Sequence, residues 1–471
     1  MFRAHCYLFN VIMKKTYSLS LHVFRRDLRL QDNTALIAAL DASEQVIPCF
    51  IFDKRQIEHN NYKSEHCLQF MMQSLQELDA ELQKKQSRLY FFYGIAEEVV
   101  ARLLQTLPIQ AVFFNRDYTP FSLERDRHIE KWCRAQDRDF HCYGDALLQE
   151  PEDVHKPNGE SYTIFTHYYK KALLLPVNVP QKNKHAHYYQ KPIDFAEQNM
   201  PPQFLQRTTP NLAVKGGRRE GIELLKQTAS LVDYANRRNF PAMDATTKLS
   251  AHNKFGTISI REFYAFIKQL PRDQDTLIKE LYWRDFFTYI TFHYPRVLGE
   301  AFHAKYNHIA WSTNMNHFRL WCEGRTGFPI IDAGMRELNT TGYMHNRVRM
   351  ITASFLTKDL HIDWRWGEKY FAQQLVDYDP AVNNGNWQWS ASTGCDAQPY
   401  FRIFNPWLQQ KKFDPDCLYI KRWIPELARV PLNIIHEWYK PHPSVFSNYP
   451  SPMLDHTRES AKTKALYTAS I

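Results

Sequence analysis

The sequence predicts an α/β N-terminal domain with a parallel, doubly wound sheet, followed by an all-α C-terminal domain. Three observations support this prediction: β-rich apolar runs alternate with helical patterns in the first quarter of the chain, a proline-rich polar stretch comes later, and helical patterns fill most of the remainder. With 471 residues, the chain is about twice the size at which a single core stops growing. We expect an α/β domain at 17–145, a linker at 146–216 and a helical domain at 217–471.

The composition favours a soluble protein with an anionic partner. A hydrophobic fraction of 44% and a charged fraction of 23% are ordinary for a globular protein. The chain lacks the run of about eighteen apolar residues that would suggest a membrane span. The net charge of +9 is modest for this length, but it favours an acidic ligand such as nucleic acid.

The eight cysteines are scattered, with no CxxC pair and no histidines at metal-ligand spacing. This pattern argues against a disulfide framework and against a structural zinc site, so we expect no metal and a cytoplasmic location. The N-terminal stretch has a broken apolar run and no small-residue cleavage site, unlike a signal peptide. Met13, which is followed by Lys14 and Lys15, is as good a candidate for the first residue as Met1.

The first domain is predicted from alternating strand and helix patterns. The strands are expected at Ser18–Phe24, Gln45–Phe52, Arg88–Tyr93 and Gln110–Asn115. The helices are expected at 34–43, 64–85 and 96–107. Such sheets bind ligands at the carboxyl ends of their strands, although neither of the common glycine-rich phosphate loops is present here.

The segment from Leu174 to Pro210 contains six prolines and many polar residues, a composition typical of a linker. His185 and His187 lie within it. Either histidine could bind a metal, but a linker histidine is expected to be simply solvated. Beyond Gly217 the sequence favours helices, and ten of the eleven tryptophans lie at or after Trp283. The helices are expected at 220–229, 260–270, 275–293, 316–323, 329–340, 347–359 and 366–374.

Two stretches of the predicted helical domain combine polar groups that suit a ligand. Thr246–Ser259 carries hydroxyls and a lysine in a loop before a helix, which fits either a phosphate cradle or an ordinary helix cap. Glu280, Trp283 and Arg284 fall on one face of a helix whose other apolar residues are explained by core packing. A carboxylate, an indole and a guanidinium on one surface could contact a flat, hydrogen-bonding group and an adjacent phosphate.

The start of the helix expected at 347–359 is crowded with polar and basic side chains. Two arginines at a helix N-terminus gain little unless anions are near. Arg349 fits equally a ligand contact and a salt bridge with Asp377 or Asp379. His345 could be catalytic, although a lone histidine is more often structural.

The stretch from Asp377 to Pro406 combines carboxylates, asparagines and two tryptophans with little apolar periodicity. That pattern is typical of neither a core helix nor a core strand. Gly385 is expected to form a turn, and Trp387 and Trp389 offer flat faces for stacking. We expect this stretch to form the wall of a pocket for planar ligands.

Several long motifs together resemble the class I cyclobutane pyrimidine dimer photolyases of the photolyase/cryptochrome family. The resemblance covers nearly the whole chain and is weakest in the linker and at the termini. Its motifs are FRRDLRLQDNTAL (24–36), WRDFF (283–287), GRTGFPIIDAGMRELNTTGYMHNRVRMITASFL (324–356) and NNGNWQWSASTGCDAQPYFRIFNP (383–406).

The resemblance implies that the helical domain holds FAD. The residues implied in binding it are Tyr234, Thr246, Thr247, Lys248, Leu249, Ser250, Asn346, Arg349, Asp377, Tyr378, Asp379 and Asn383. Tyr234 and Thr246–Ser250 are expected on the phosphate side. Asn383 is expected to face the flavin N5, where its amide can serve either a protonated or an unprotonated nitrogen.

The resemblance also implies that the partner is DNA containing a pyrimidine dimer that is flipped out of the duplex. The residues implied in binding the dimer are Glu280, Trp283, Asn346, Met350 and Trp389. The residues implied in binding DNA more widely are Arg238, Glu280, Trp283, Arg284, Asn346, Arg347, Arg402 and Gln409. Affinity that rests on phosphate contacts would be sensitive to salt.

The mechanism that the resemblance implies is light-driven electron transfer from excited reduced flavin to the dimer, after which the cyclobutane bonds split and the electron returns. Trp387, Trp364 and Trp311 match a chain that carries electrons to oxidised flavin. The protein would position and tune the cofactor, which supplies the chemistry. We expect a monomeric lyase.

The antenna chromophore stays open, because the chain departs from the family pattern. Folate-binding relatives carry an acidic and a basic residue where this chain has Thr119 and Gly299. Asn115 and Tyr118 remain near the expected position. An antenna of methenyltetrahydrofolate or of a deazaflavin is therefore uncertain on the sequence.

Three alternatives were weighed against repair of cyclobutane dimers. A cryptochrome, a flavin photoreceptor without repair activity, is disfavoured by the intact dimer-contact residues and by Asn383 in place of aspartate. A (6-4) photolyase is disfavoured because Asn346 and Met350 replace histidines. A non-enzymatic nucleotide-binding scaffold leaves the clustering of tryptophans and arginines unexplained.

Overall fold

A computed structural model describes residues 15–58, 60–198, 208–271, 274–441 and 448–469. The candidate starts Met1 and Met13 lie outside these residues. The α/β part contains β1 (Tyr17–Phe24), α1 (Thr34–Ala42), β2 (Ser43–Asp53), α2 (Lys54–Ile57), α3 (Glu65–Gln83), β3 (Tyr90–Gly94), α4 (Ala96–Thr106), β4 (Ala111–Asn115), α5 (Pro120–Ala135) and β5 (Asp139–Tyr143). A further helix, α6 (Phe165–Ala172), follows it.

The sheet has the strand order β3-β2-β1-β4-β5, and every described pairing is parallel. The predicted parallel α/β domain is confirmed. Strand β5 was not predicted, because its residues alternate between partly and fully exposed positions and show no apolar run. Helix α5 was also missed, since its sequence is rich in charged residues and its buried face includes Arg125 and Asp126.

The segment after α6 packs against the sheet in its described part. Val46 forms a bridge with Tyr188, whose side chain is buried. The prediction that the two linker histidines are simply solvated is wrong. His187 Nε2 lies 2.8 Å from the Leu40 carbonyl oxygen, and His185 Nε2 lies 2.9 Å from the Asp41 carboxylate.

The elements described beyond α6 are helices, which confirms the predicted all-α domain. Its helices are α7 (Arg218–Gln227), α8 (Tyr234–Arg237), α9 (Ser250–Phe255), α10 (Ile260–Lys268), α11 (Asp275–His293), α12 (Met315–Glu323), α13 (Pro329–Thr341), α14 (Asn346–Lys358), α15 (Trp364–Gln374), α16 (Pro380–Ala391), α17 (Pro406–Phe413), α18 (Leu418–Trp423), α19 (Leu432–His436) and α20 (His456–Thr468). Within the described ranges, every helix is too short or too polar to cross a membrane.

A buried ion-pair network joins the two parts. Arg261 of α10 contacts Asp32, which follows β1, at 3.0 Å and Asp145, which follows β5, at 2.7 Å. Arg29 holds the other side of Asp145 at 2.7 Å. Burial alone would raise the pKa of Asp145, but the two guanidinium groups hold it at about 2. Such a network costs desolvation and stabilises the fold only while every partner is present. The division at 145 and 216 stays a prediction.

A second link ties α11 to the chain that leaves the sheet. Asp285 is fully buried, and its Oδ2 atom accepts hydrogen bonds from the backbone N–H groups of Leu148 and Gln149 at 2.8 and 3.3 Å. Arg284 lies 3.7 Å from the other carboxylate oxygen. Burial raises the pKa of Asp285 to about 7 and outweighs these favourable contacts.

Asp285 should therefore make stability depend on pH. Between its ordinary pKa of 3.8 and the folded value of about 7, the folded state holds a proton that the unfolded state lacks. The free energy of unfolding then falls as pH rises through this window. In urea titrations from pH 4 to 7, we expect Asp285→Asn to remove roughly 3 kcal/mol of this decline. Parallel stability curves for wild type and variant would contradict this assignment.

Candidate functional site

A cavity of about 460 Å³ opens within the helical part, a volume in the range of ligand sites. The predicted cofactor residues that line it are Tyr234, Thr246, Thr247, Lys248, Leu249, Ser250, Asn346, Arg349, Asp377, Tyr378, Asp379 and Asn383. The predicted dimer, DNA and electron-transfer residues that line it are Arg238, Glu280, Trp283, Arg284, Arg347, Met350, Trp387 and Trp389. One cavity thus collects most of the predicted site.

Four predicted residues lie outside the cavity lining. Arg402 is exposed in the loop before α17, where it donates a long hydrogen bond of 3.4 Å to Gln398. Gln409 lies on α17, and its buried Oε1 atom has no hydrogen-bond partner among the described residues. Trp364 is buried at the start of α15. Trp311 is half-buried. The next residue, Ser312, donates its backbone N–H to the His361 carbonyl, so Trp311 lies in a segment beside the start of α15.

The prediction that 377–406 lacks a core helix is wrong, because α16 spans Pro380–Ala391. Asp379 caps this helix by accepting from the N–H groups of Ala381 and Val382 at 3.0 and 3.2 Å, and Pro380 occupies the first turn. The polar residues that interrupt the apolar periodicity of this helix make hydrogen bonds in the protein interior. Asn384 and Gln388 are buried and both donate to the Val297 carbonyl.

Gly385 is a packing residue inside α16, not the predicted turn. A Cβ atom there would lie 2.0 Å from the Phe287 ring, so only glycine permits the observed approach of α16 to α11. Gly367 plays the same part on α15, where a Cβ atom would lie 2.2 Å from the Trp387 indole. These two contacts fix how closely three helices meet at the cavity.

Two ion pairs organise the charged wall of the cavity. Arg349 of α14 pairs with Asp377 through two hydrogen bonds of 3.1 and 2.9 Å. Arg26, which follows β1, binds Asp379 with one nitrogen and Asp117 with another. Burial would raise the pKa of Asp379, but Arg26 holds it below its ordinary value. The carboxylates predicted as alternative partners of Arg349 are thus divided between two arginines.

Asn383 of α16 is held at the cavity wall by the neighbouring helix α15. Its amide nitrogen donates to the Glu368 backbone carbonyl at 3.0 Å. Burial raises the pKa of the Glu368 carboxyl to about 7, although hydrogen bonds with Asn383 and Tyr62 oppose that rise. Tyr62 comes from the α/β part, so a titratable group beside Asn383 connects both parts of the protein.

The predicted phosphate cradle lies in the loop before α9. Thr246, Thr247 and Ser250 bring hydroxyls to the cavity. Lys248 adopts a left-handed backbone with φ of 53° and pairs with Asp244 at 2.5 Å. Asn253 also lines the cavity, and its buried Oδ1 atom has no partner within the described protein. An unsatisfied buried acceptor in a cavity wall is expected to meet a ligand donor or a water.

The aromatic wall is built on α11. Trp283 stacks on Phe165 of α6 with ring centroids 3.6 Å apart and planes within 9°, which fixes the orientation of the indole. Glu280, one turn earlier, accepts a hydrogen bond from Arg238. Arg284 donates to the carbonyls of Ala146 and Asn253 at 2.5 and 3.2 Å. The guanidinium of Arg284 therefore braces the wall.

Trp387 joins the cavity to a buried aromatic cluster. It contacts Phe371 at 4.9 Å and Trp321 at 6.2 Å between ring centroids. Trp364 lies on α15, which packs directly against α16. The predicted chain Trp387, Trp364 and Trp311 therefore runs across neighbouring elements in that order.

The comparisons with known proteins agree with this geometry. Residues 20–183 match the family model described as DNA photolyase, and residues 277–469 match the FAD binding domain of DNA photolyase. A deoxyribodipyrimidine photo-lyase from Alkalihalophilus pseudofirmus is 37% identical over 94% of this chain and 96% of that protein. The chain belongs to the photolyase/cryptochrome family.

Solved structures of other family members share the whole fold. An archaeal photolyase from Sulfolobus tokodaii, whose crystal structure holds two FAD molecules, gives a TM-score of 0.87 at 45% identity over 96% of this chain and 100% of that chain. A cryptochrome from Synechocystis gives a TM-score of 0.87 at 28% identity over 96% of this chain and 99% of that chain. The family therefore includes both photolyases and cryptochromes with this architecture.

The cavity residues fit FAD, the cofactor of the matched domain. The site offers hydroxyls and an unsatisfied Asn253 acceptor on one side, and the fixed Arg349–Asp377 pair and the Asn383 amide on the other. A flavin needs hydrogen-bond partners at its ring edge and neutralising donors at its phosphates. The described residues supply both.

Three further residues escaped prediction: Asn253, which lines the cavity, and Phe165 and Glu368, which contact residues that line it. Phe165 lies in a segment with no ligand-like pattern, and only its stacking on Trp283 reveals it. Asn253 lies inside the predicted Thr246–Ser259 stretch, but nothing in the sequence distinguishes it from an ordinary helix residue. Glu368 reads as one charged residue of an amphipathic helix, and only its burial shows otherwise.

The Arg349–Asp377 pair should be necessary for tight cofactor binding. Arg349→Lys cannot keep both hydrogen bonds, because an ammonium lacks the planar fork of a guanidinium. We expect the FAD dissociation constant, measured by fluorescence titration of apoprotein, to rise about 10-fold or more. The control is Arg365→Lys, which alters a similar pair with Asp363 outside the cavity lining. Equal effects of both changes would contradict a specific role for Arg349.

Proposed function

We propose that this protein repairs cyclobutane pyrimidine dimers in DNA, using light and FAD. The observation that carries the proposal is the placement of Glu280, Trp283 and Trp389 in the same cavity as the residues that fit FAD. A flipped pyrimidine dimer needs apolar walls and a hydrogen-bond acceptor close to the electron donor. The curated relatives named deoxyribodipyrimidine photo-lyases support the same activity.

Bound and fully reduced FAD would supply a light-driven electron for opening the cyclobutane ring and would regain it afterwards. The protein must then hold the cofactor and the dimer close together and exclude water. Asp377, fixed by Arg349, and the Asn383 amide would hold the flavin ring system. Glu368 holds a proton near Asn383 below about pH 7, since its raised pKa favours the neutral form.

The dimer is proposed to sit between Trp283 and Trp389, with Asn346 and Met350 beside it. Flipping is least costly for a damaged pair, because the lesion has already weakened pairing and stacking. Phe165 contributes by locking the plane of Trp283 before the dimer arrives. A wall that is already oriented loses little conformational entropy on binding.

The DNA backbone is proposed to contact basic groups around the cavity mouth. Arg238, Arg347 and Arg402 keep partly or fully exposed side chains, and we assign them to phosphates with Gln409 nearby. We assign Arg284, whose guanidinium donates to two carbonyls, to bracing the cavity wall.

The decisive experiment is dimer reversal under blue light. Reduced holoenzyme should restore thymine-dimer oligonucleotides, measured by chromatography, and should not do so in the dark. Trp389→Ala should lower the repair yield at least 10-fold, because a stacked base is worth about 1–3 kcal/mol. Its FAD absorbance should match wild type. Unrepaired dimers with a normal flavin spectrum would favour the alternative of a cryptochrome-type photoreceptor without repair activity.

The tryptophan chain can be separated from repair. In Trp387→Phe, we expect photoreduction of oxidised FAD to slow at least 10-fold, while enzyme that is reduced chemically beforehand repairs dimers at a rate close to wild type. The cause is that phenylalanine is much harder to oxidise than tryptophan but fills a similar space. Trp423→Phe, outside the cavity lining, is the matched control. Equal loss of both activities in Trp387→Phe would rule out this route.

The proposal for the antenna chromophore rests on the hydrogen bonds that its candidate residues already make. Asn115 is buried and donates to Asp27 and Asn33, and Tyr118 donates to both oxygens of Glu150. Both side chains already hydrogen-bond to other residues of the protein, which disfavours folate at this position. A deazaflavin or a second flavin is the better proposal, and the latter is supported by the two FAD molecules in the Sulfolobus photolyase. The absorption spectrum of purified protein distinguishes these chromophores.

A further inference from the structure

An ion pair spans the mouth of the cavity between two residues proposed for different parts of the substrate. Arg238, at the end of α8, donates to a carboxylate oxygen of Glu280 on α11. The side chains are 24% and 34% exposed, so solvent and ligands reach both. In this structure, Arg238, the proposed phosphate contact, is therefore bound to Glu280, the proposed base contact.

The pair satisfies a carboxylate that has aromatic neighbours. Tyr234 and Trp283 line the same cavity, and Tyr234 also hydrogen-bonds to Arg238. A carboxylate that is only 34% exposed stays partly desolvated when its donor is removed, and this costs free energy. Arg238 thus keeps Glu280 satisfied while the cavity holds no base.

We propose that Arg238 and Glu280 exchange partners on DNA binding, and that this exchange selects damaged DNA; the inference rests on the proposed repair function. A phosphate takes Arg238, and the N–H edge of a flipped pyrimidine takes Glu280. On a damaged strand, both groups gain a new partner. On an undamaged strand, the bases stay stacked, so drawing Arg238 to a phosphate leaves Glu280 unsatisfied.

The neighbouring arginine shows what a phosphate contact without this exchange would look like. Arg347 donates to the neutral amide oxygen of Asn239 at 2.6 Å, and its guanidinium lies over the Phe413 ring. A phosphate that binds Arg347 leaves no carboxylate without its hydrogen-bond donor. Arg238 and Arg347 both line the cavity and carry the same charge, but they differ in the partner that DNA must displace.

The test is a double-mutant cycle in DNA affinity, using dark holoenzyme with undamaged and thymine-dimer oligonucleotides. Glu280→Gln removes the competing charge, so undamaged DNA should bind about 10-fold tighter, while dimer DNA should bind more weakly because a neutral amide oxygen is a weaker acceptor than a carboxylate. In an Arg238→Met background, Glu280→Gln should leave the affinity for undamaged DNA unchanged. In an Arg347→Met background, it should keep its full effect on that affinity.

The outcomes separate this inference from the proposed function. Unchanged affinity for undamaged DNA in Glu280→Gln, or the same effect in the Arg238→Met background, would overturn the exchange and leave repair standing. A wild-type protein that does not prefer dimer DNA would overturn both. Arg238→Lys, which keeps the charge, should preserve part of the coupling between the two residues. FAD absorbance checks that each variant is folded.

Discussion

The Asp379 carboxylate is the contact on which the site depends most. One oxygen caps α16 through the N–H groups of Ala381 and Val382, and the other binds Arg26 from the end of β1. The helix that carries Asn383, Trp387 and Trp389 therefore begins at a group anchored in the α/β part. A capped helix start is stabilised by about 1 kcal/mol, and an ion pair with low exposure adds orientation. The position of the cavity wall thus depends on the sheet.

Much of the fold follows from hydrophobic periodicity. The prediction of a helix at Asp275–His293 agrees with the structure at both ends, because its apolar face is clear and a proline follows it. The same reasoning failed for α16. Its buried face includes Asn384 and Gln388, so the inward residues are polar and the apolar period disappears. Strand β5 was lost for a related reason, because a partly exposed edge strand needs no apolar run.

The types of residue in the site could be predicted from the sequence, but the role of each residue could not. Composition indicated carboxylates, arginines and tryptophans near one another, while their division between cofactor, dimer and phosphate came from the family resemblance. Most hydrogen-bond partners were beyond sequence reasoning. The sequence offered Asp377 or Asp379 as a partner of Arg349 without choosing between them, and nothing in it pairs Arg26 with Asp379 or directs Arg284 onto two backbone carbonyls. Those choices depend on distances set by tertiary packing.

The buried network of Arg29, Asp32, Asp145 and Arg261 has a consequence for how sequences of this family can be recombined. Its charges come from both parts of the chain, so neither part carries a neutral set on its own. A chimera that takes its sheet from one relative and its helices from another inherits matched charges only if both parents share all four residues. Interchange of the two parts is thus constrained by residues outside the lining of the proposed cofactor cavity.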